Sequence, residues 1–584
     1  MKAAKKRGHT PGTHFGDVKL VNIELMPILD QQRLLDWQRA LWLWIPIAAS
    51  PGVYSFACGK LPLAPSLLAV AMGLSAAAVL AIVISRSAAR FGVGFVSLCR
   101  SPWGARGASI VATVRWCVGV IWMAAWASEI GTSTGWLVVR GCPGVESLRG
   151  IVGSHIIPWL VAGSVVVSAW WVARGGLSRV GASARLGVTA VVVGLFALVV
   201  MGGMASKGFG PWLRRDASWG SSDVAAAAAV ALLFSLVGLV ACGDWERFRQ
   251  QPGGRNKLTV LRKAAGIAAP LAMVVFGVLV AFSGALLASA AQTTGGDVSR
   301  GLVNHVATFG GNGLAVAAGL VAVALWISVA PLVGVYSSAM AVCGVRPRQF
   351  TYRRSALLTV VATLALVPLW RLIEDAGVTI VDVATLLAPP LGVLVVDELL
   401  VRRGRVLLDD LFTFSRFYGP LFGFGVAGTF ALVAGWLFHP RVVEWAGWRF
   451  DGDLHDFVGN PLSGMAVAAL VFMVLGSLER VLVWQWLHRA KKVRRRAPEP
   501  SILADVSTAG VTDPRYVGKE LDAFVVGPVA ENPRTSNSEV PALNRPEVKK
   551  PKSDSKPRVP RVPRGEVGVD AKAMADDEWW SGEK

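Results

Sequence analysis

The chain has 584 residues, 53% of them hydrophobic and only 17% charged, with a mean hydropathy of +0.51. That balance excludes an ordinary soluble domain. The net charge of +21 would suit a nucleic-acid binder in a soluble chain, but here the basic residues lie in loops between long apolar runs. The six cysteines show neither a CxxC nor a Cys/His spacing, so no disulfide framework or zinc site is indicated.

About twelve apolar runs follow one another: 41–60, 64–86, 108–138, 153–174, 180–204, 223–243, 262–292, 312–341, 355–372, 377–400, 419–438 and 462–487. A run of about 18 residues crosses a hydrocarbon core of about 30 Å, and its backbone must close its own hydrogen bonds, which makes each run a helix. The predicted fold class is therefore an all-α polytopic membrane protein. Residues 1–38 read as a cytoplasmic N-terminal segment without a cleavable signal pattern, 39–488 as the transmembrane domain, and 489–584 as a basic, Pro-rich disordered cytoplasmic tail. With the N-terminus inside, the inner loops hold roughly twice as many Lys and Arg as the outer ones, the positive-inside pattern. Both termini are then cytoplasmic, and usage of Ala, Gly, Val and Arg hints at a bacterial plasma membrane.

The first run contains Ala49-Ser50-Pro51-Gly52, where proline removes a backbone donor and glycine weakens the helix. In the third run, Trp122, Trp126 and Glu129 stand at i, i+4 and i+7 and share one helical face. The two tryptophans lie too deep for an interfacial belt and suit either core packing or ligand contact. Glu129 is either an outer-end residue reaching water or Arg140, or a functional intramembrane carboxylate. The sixth run closes on Gly238 and then Cys242-Gly243-Asp244. Interruptions paired five spans apart, at Pro51-Gly52 and at Gly238 and Gly243, point to a transporter of inverted repeats with a midplane site. No GxxxxGK[ST] or HExxH motif is present, which argues against a primary pump and against an enzyme.

Five dispersed motifs carry a resemblance. They are Asn22-Ile23-Glu24-Leu25-Met26-Pro27, the stretch from Leu43-Trp44 to Cys58-Gly59, and FGVGFVSLCRSPWGARGASIVATVRWCVGVIW at 91–122. Asp244-Trp245-Glu246-Arg247-Phe248 and Ala388-Pro389-Pro390-Leu391-Gly392 with Asp397 and Arg402-Arg403 complete the set. In this order they resemble the nucleobase–cation symporter-1 family of cytosine, purine, uracil, allantoin, hydantoin and thiamine permeases.

The resemblance implies two inverted five-helix repeats plus two further helices, alternating access, and a planar heterocycle held between aromatic rings of the third and sixth spans. Carried over, the third-span ring is Trp122. Trp126 stands where an amide is common, and the sixth-span tryptophan falls on Ser235, beside Phe234. The substrate-binding asparagine of the eighth span becomes Gly334. Of the sodium ligands, Ser328 keeps its hydroxyl while its neighbour is Val329, and first-span carbonyls near Pro46 and Ala49 remain. Glu129 is the candidate proton carrier in place of the lost ligand. No cofactor is implied beyond a coupling Na+ or H+, and the expected partners are a small-molecule substrate and the bilayer, not nucleic acid. A permease for another organic solute, and a non-transporting receptor or scaffold acting through its tail, are the rival readings.

Overall fold

The computed structural model describes residues 22–493, except 29–32, 34, 50–62, 142–154, 206–219, 251–256, 294–301, 405, 407, 413–417 and 449–459. The chain divides into Met1–Pro528 and Val529–Lys584. The second unit, and with it most of the tail read from the sequence as disordered, lies outside the described residues. So do Pro51 and Gly52.

The described residues form helices and no β-sheet. Nine of those helices are long and apolar enough to cross a membrane, and two shorter apolar ones accompany them. Helix α1 (Trp37–Trp44) passes into a 3-10 turn, Ile45–Ala49. Then come α2 (Leu63–Phe91), α3 (Phe95–Gly141), α4 (Ile157–Ala173) and α5 (Gly176–Ala205). Helix α6 (Ser221–Leu239) ends in a turn at 240–241, and α7 (Cys242–Glu246) resumes. Next are α8 (Lys257–Thr293) and α9 (Leu302–Val329), the latter continued by a π-helical stretch, Ala330–Tyr336, and by α10 (Ser337–Val345). Helices α11 (Tyr352–Leu366), α12 (Trp370–Asp375), α13 (Ile380–Thr385) and α14 (Ala388–Val396) lead to a second π stretch, Asp397–Val401. The last are α15 (Leu408–Leu411), α16 (Val426–Leu437), α17 (Pro440–Trp445) and α18 (Ser463–Val493).

Two of the expected runs are refined in detail. The third lies in the second of two helices that α3 joins across a kink at Gly104, whose φ of 69° an L side chain resists. The tenth is not one helix but α13, α14 and a π stretch, because Pro389 and Pro390 cannot donate into the preceding turn. The sixth-span break falls at Val240–Ala241, with Gly238 in the last turn before it and Gly243 in the first turn after.

Small residues set the helix contacts, as they do where lipid offers no hydrophobic incentive to associate. Gly187 and Gly194 of α5 lie against Ala324, Ser328 and Val321 of α9, and Gly131 and Gly135 of α3 against Pro158 and Ala162 of α4. The opposite face of α5 turns Leu186, Val193, Phe196 and Met204 outward, an apolar surface suited to acyl chains.

The resemblance motifs prove to be fastenings. Asn22 donates through Nδ2 to the carbonyls of Pro347 (2.8 Å) and Phe350 (2.9 Å), latching the N-terminal segment beneath α10. Arg100 donates to the Leu411 carbonyl at 3.0 Å and lies over the Phe412 ring. Arg402 pairs with Asp397 (2.8 Å) and Glu398 (2.9 Å), closing the second π stretch with buried charge. Asp244 accepts from the Phe95 amide at 3.0 Å, capping the start of α3. Glu246 accepts from Trp44 Nε1 at 2.7 Å and pairs with Arg249 at 2.9 Å, while the Trp44 and Trp245 rings meet edge to face at 6.0 Å. The first helix and the sixth span are thus joined directly.

Candidate functional site

Three irregular segments meet at the centre of the molecule. A methyl group built on Gly238 of α6 would lie 2.7 Å from Ile47 in the 3-10 turn and 3.4 Å from Val333 in the π stretch. Bare glycine therefore lets the ends of the first and sixth spans and the middle of the eighth converge. Irregular backbone inside a membrane helix leaves carbonyls and amides without their usual partners, and such places line ligand sites.

Trp122 of α3 is buried here, 3% exposed. The ring parallel to it belongs to neither Ser235 nor Phe234 but to Trp326 of α9, with centroids 6.3 Å apart and planes within 12°. Trp326 is itself held by an Nε1 bond to the Val165 carbonyl at 2.9 Å. The indole nitrogens of Trp122 and Trp126 are buried and have no hydrogen-bond partner among the described residues. Both are donors that a ligand oxygen or ring nitrogen would satisfy.

Ser235 is buried and donates back to the Ala231 carbonyl of its own helix at 3.3 Å; Phe234 is half-buried beside it. Gly334 lies in the π stretch, and a Cβ there would overlap the Met123 thioether. The volume that an asparagine side chain would take is therefore filled from α3 by methionine. The surface at that point is soft and apolar.

The coupling candidates separate into two places. Ser328 is buried and donates to the Leu325 carbonyl at 2.6 Å, which leaves its oxygen lone pairs available to a cation. The 3-10 turn holding Pro46 and Ala49 packs against α9, on which Ser328 lies, and Pro46 is buried. Glu129 is exposed, two turns from Trp122, within electrostatic reach of Glu374. One turn further, Arg371 donates to Thr132 at 2.9 Å. The Arg140 side chain lies outside the described residues.

Four residues that sequence reasoning passed over belong to this centre: Met123, Trp326, Ser338 and Arg115. Arg115 alone announced itself, as a charge inside an apolar run. It is buried, and its Nη2 donates to the Val333 carbonyl of the π stretch at 3.0 Å.

Residues 27–445 match the family described as permeases for cytosine/purines, uracil, thiamine and allantoin. The chain belongs to that family. Among the relatives of this permease, the purine-uracil permease NCS1 of Arabidopsis thaliana is 25% identical over 451 residues, 72% of this chain and 71% of the relative. The allantoin permease of Bacillus subtilis is 22% identical over 430 residues, 68% of this chain and 81% of the relative. Among solved structures, Mhp1, a nucleobase-cation-symport-1 family transporter in a closed conformation with bromovinylhydantoin bound, superposes with a TM-score of 0.62 at 18% identity. That match covers 79% of this chain and 96% of Mhp1. The fold expected from the sequence, a helical transporter of inverted repeats, is the one this multi-pass membrane permease shares with Mhp1.

Proposed function

We propose that this permease carries a small planar heterocycle of the nucleobase, hydantoin or allantoin kind across a bacterial plasma membrane by alternating access. Both termini face the cytoplasm in this reading, as the basic loops require. The observation that carries it is the buried Trp122 ring, paralleled by Trp326, with an unspent indole donor where the irregular segments meet. A flat ring stacks on such a face whatever its edge, and edge contacts then select among rings. The Met123-for-amide exchange favours a larger or less polar planar solute over a bare nucleobase.

The test is radiolabelled uptake across nucleobases, hydantoins, allantoin and thiamine, with Trp122→Ala and Trp122→Phe beside the native chain. The alanine variant is expected to lose at least tenfold in affinity, about 1.4 kcal/mol, and the phenylalanine variant to keep part of it. Uptake of every ring unchanged in Trp122→Ala would refute the assignment.

Transport is coupled, in this reading, to Na+ held by Ser328 and the carbonyls of the 45–49 turn, or to H+ carried by Glu129. Glu129→Gln is expected to flatten the pH dependence of uptake if the proton is the coupling ion. A profile that keeps its shape removes Glu129 from that role.

A further inference from the structure

Arg115 is a guanidinium with five N–H donors buried in a membrane helix, and only one of its nitrogens is engaged. Its Nε and Nη1 have no hydrogen-bond partner among the described residues. No carboxylate there lies within ion-pair distance of it; Asp244 acts on it only through space. The hydroxyl of Ser338 in α10 is likewise fully buried and has no hydrogen-bond partner among the described residues. The two groups face the same point, because a Cβ on Gly119 would lie 2.9 Å from Arg115 Nη1 and would overlap Ser338 Oγ. Gly119 is thus the gap that keeps both groups close to the α3 backbone. It stands three residues before Trp122, about 4.5 Å along the helix axis, so the charged fork ends roughly one turn from the stacking ring.

We propose that the free edge of Arg115 and the Ser338 hydroxyl form an anion subsite adjoining the ring site. Its ligand is either a carboxylate borne by the substrate ring or a small inorganic anion, chloride being the probe. A planar fork of N–H donors with a hydroxyl beside it matches two carboxylate oxygens, and a buried cation without a direct ion-pair partner favours an anion that reaches it. The carboxylate arm rests on the reading of Trp122 as the stacking residue; the chloride arm does not.

The experiment is thermal melting of the purified full-length protein in gluconate buffer, titrated with uracil, with orotate (uracil bearing a ring carboxylate), and with chloride. If the anion comes from the substrate, orotate binds at least tenfold more tightly than uracil, and Arg115→Gln abolishes the difference. If it is a free ion, chloride alone stabilises saturably, orotate gains nothing over uracil, and Arg115→Gln removes the chloride effect. Ser338→Ala leaves the Arg115–Val333 bond in place and is expected to weaken the anion effect several-fold, which keeps the test open should Arg115→Gln fail to fold. The proposal is overturned if neither anion shifts the melting point in a way that depends on Arg115 or Ser338. Failure of uracil and every other neutral ring to bind, with the chloride effect intact, would count against the heterocycle reading alone.

Discussion

At the scale of single residues, the centre of this permease is a set of exchanged volumes. Gly334 has no side chain, and Met123 fills the space beside it. Gly334→Asn therefore overpacks the site, by about 1–3 kcal/mol. The expected result is a lower melting temperature and lost uptake, with partial recovery in the double variant Gly334→Asn, Met123→Ala and a shift toward rings with more polar edges. A double variant no more stable than Gly334→Asn alone would show that Met123 is not what occupies the space. Trp122 was legible from spacing and from the resemblance, since depth in a run and a motif position both point at it. Trp326 was not: periodicity places a residue on a face of its own helix and says nothing about which ring of another helix lies opposite. Arg115 was legible on the cost of burying charge in hydrocarbon, as a lone guanidinium inside an apolar run.

At the scale of elements, the apolar runs foretold nearly every helix, because length and hydropathy decide what crosses a bilayer. The irregularities were less readable. Pro51-Gly52 and Gly238 drew notice as helix breakers, while the π stretches at Ala330–Tyr336 and Asp397–Val401 arise from packing and from the Arg402 ion pairs, which no local propensity announces. The connection between α16 and α17 holds another such device. His439 is buried, its Nε2 meets the Thr385 hydroxyl and the Asp382 carbonyl at the foot of α13, and its Nδ1 accepts from the Arg441 amide at 3.2 Å. Burial holds the imidazole below its ordinary 6.5, so the native state favours the neutral ring and the unfolded chain takes up the proton first. The stability that this group contributes is complete above about pH 6.5 and is lost as pH falls through the lowered native value. Melting of the purified protein is expected to drop as pH falls below about 6.5, and His439→Gln should remove that part of the slope. An identical pH profile in the variant would exclude the histidine as its source.

At the scale of the whole molecule, the described helices end with α18, and the family match stops at residue 445. Removing residues 500–584 is expected to leave uptake within about twofold of the native chain, a change of less than 0.5 kcal/mol in transition-state terms. Complete loss of uptake in a truncated protein that still melts cooperatively would favour a role acting through the tail. Within the bundle, the Trp44–Glu246 bond and the Trp44–Trp245 contact join α1 to α7. A joint of that kind ties α1 to α7, so a displacement at one end is passed to the other through the indole of Trp44.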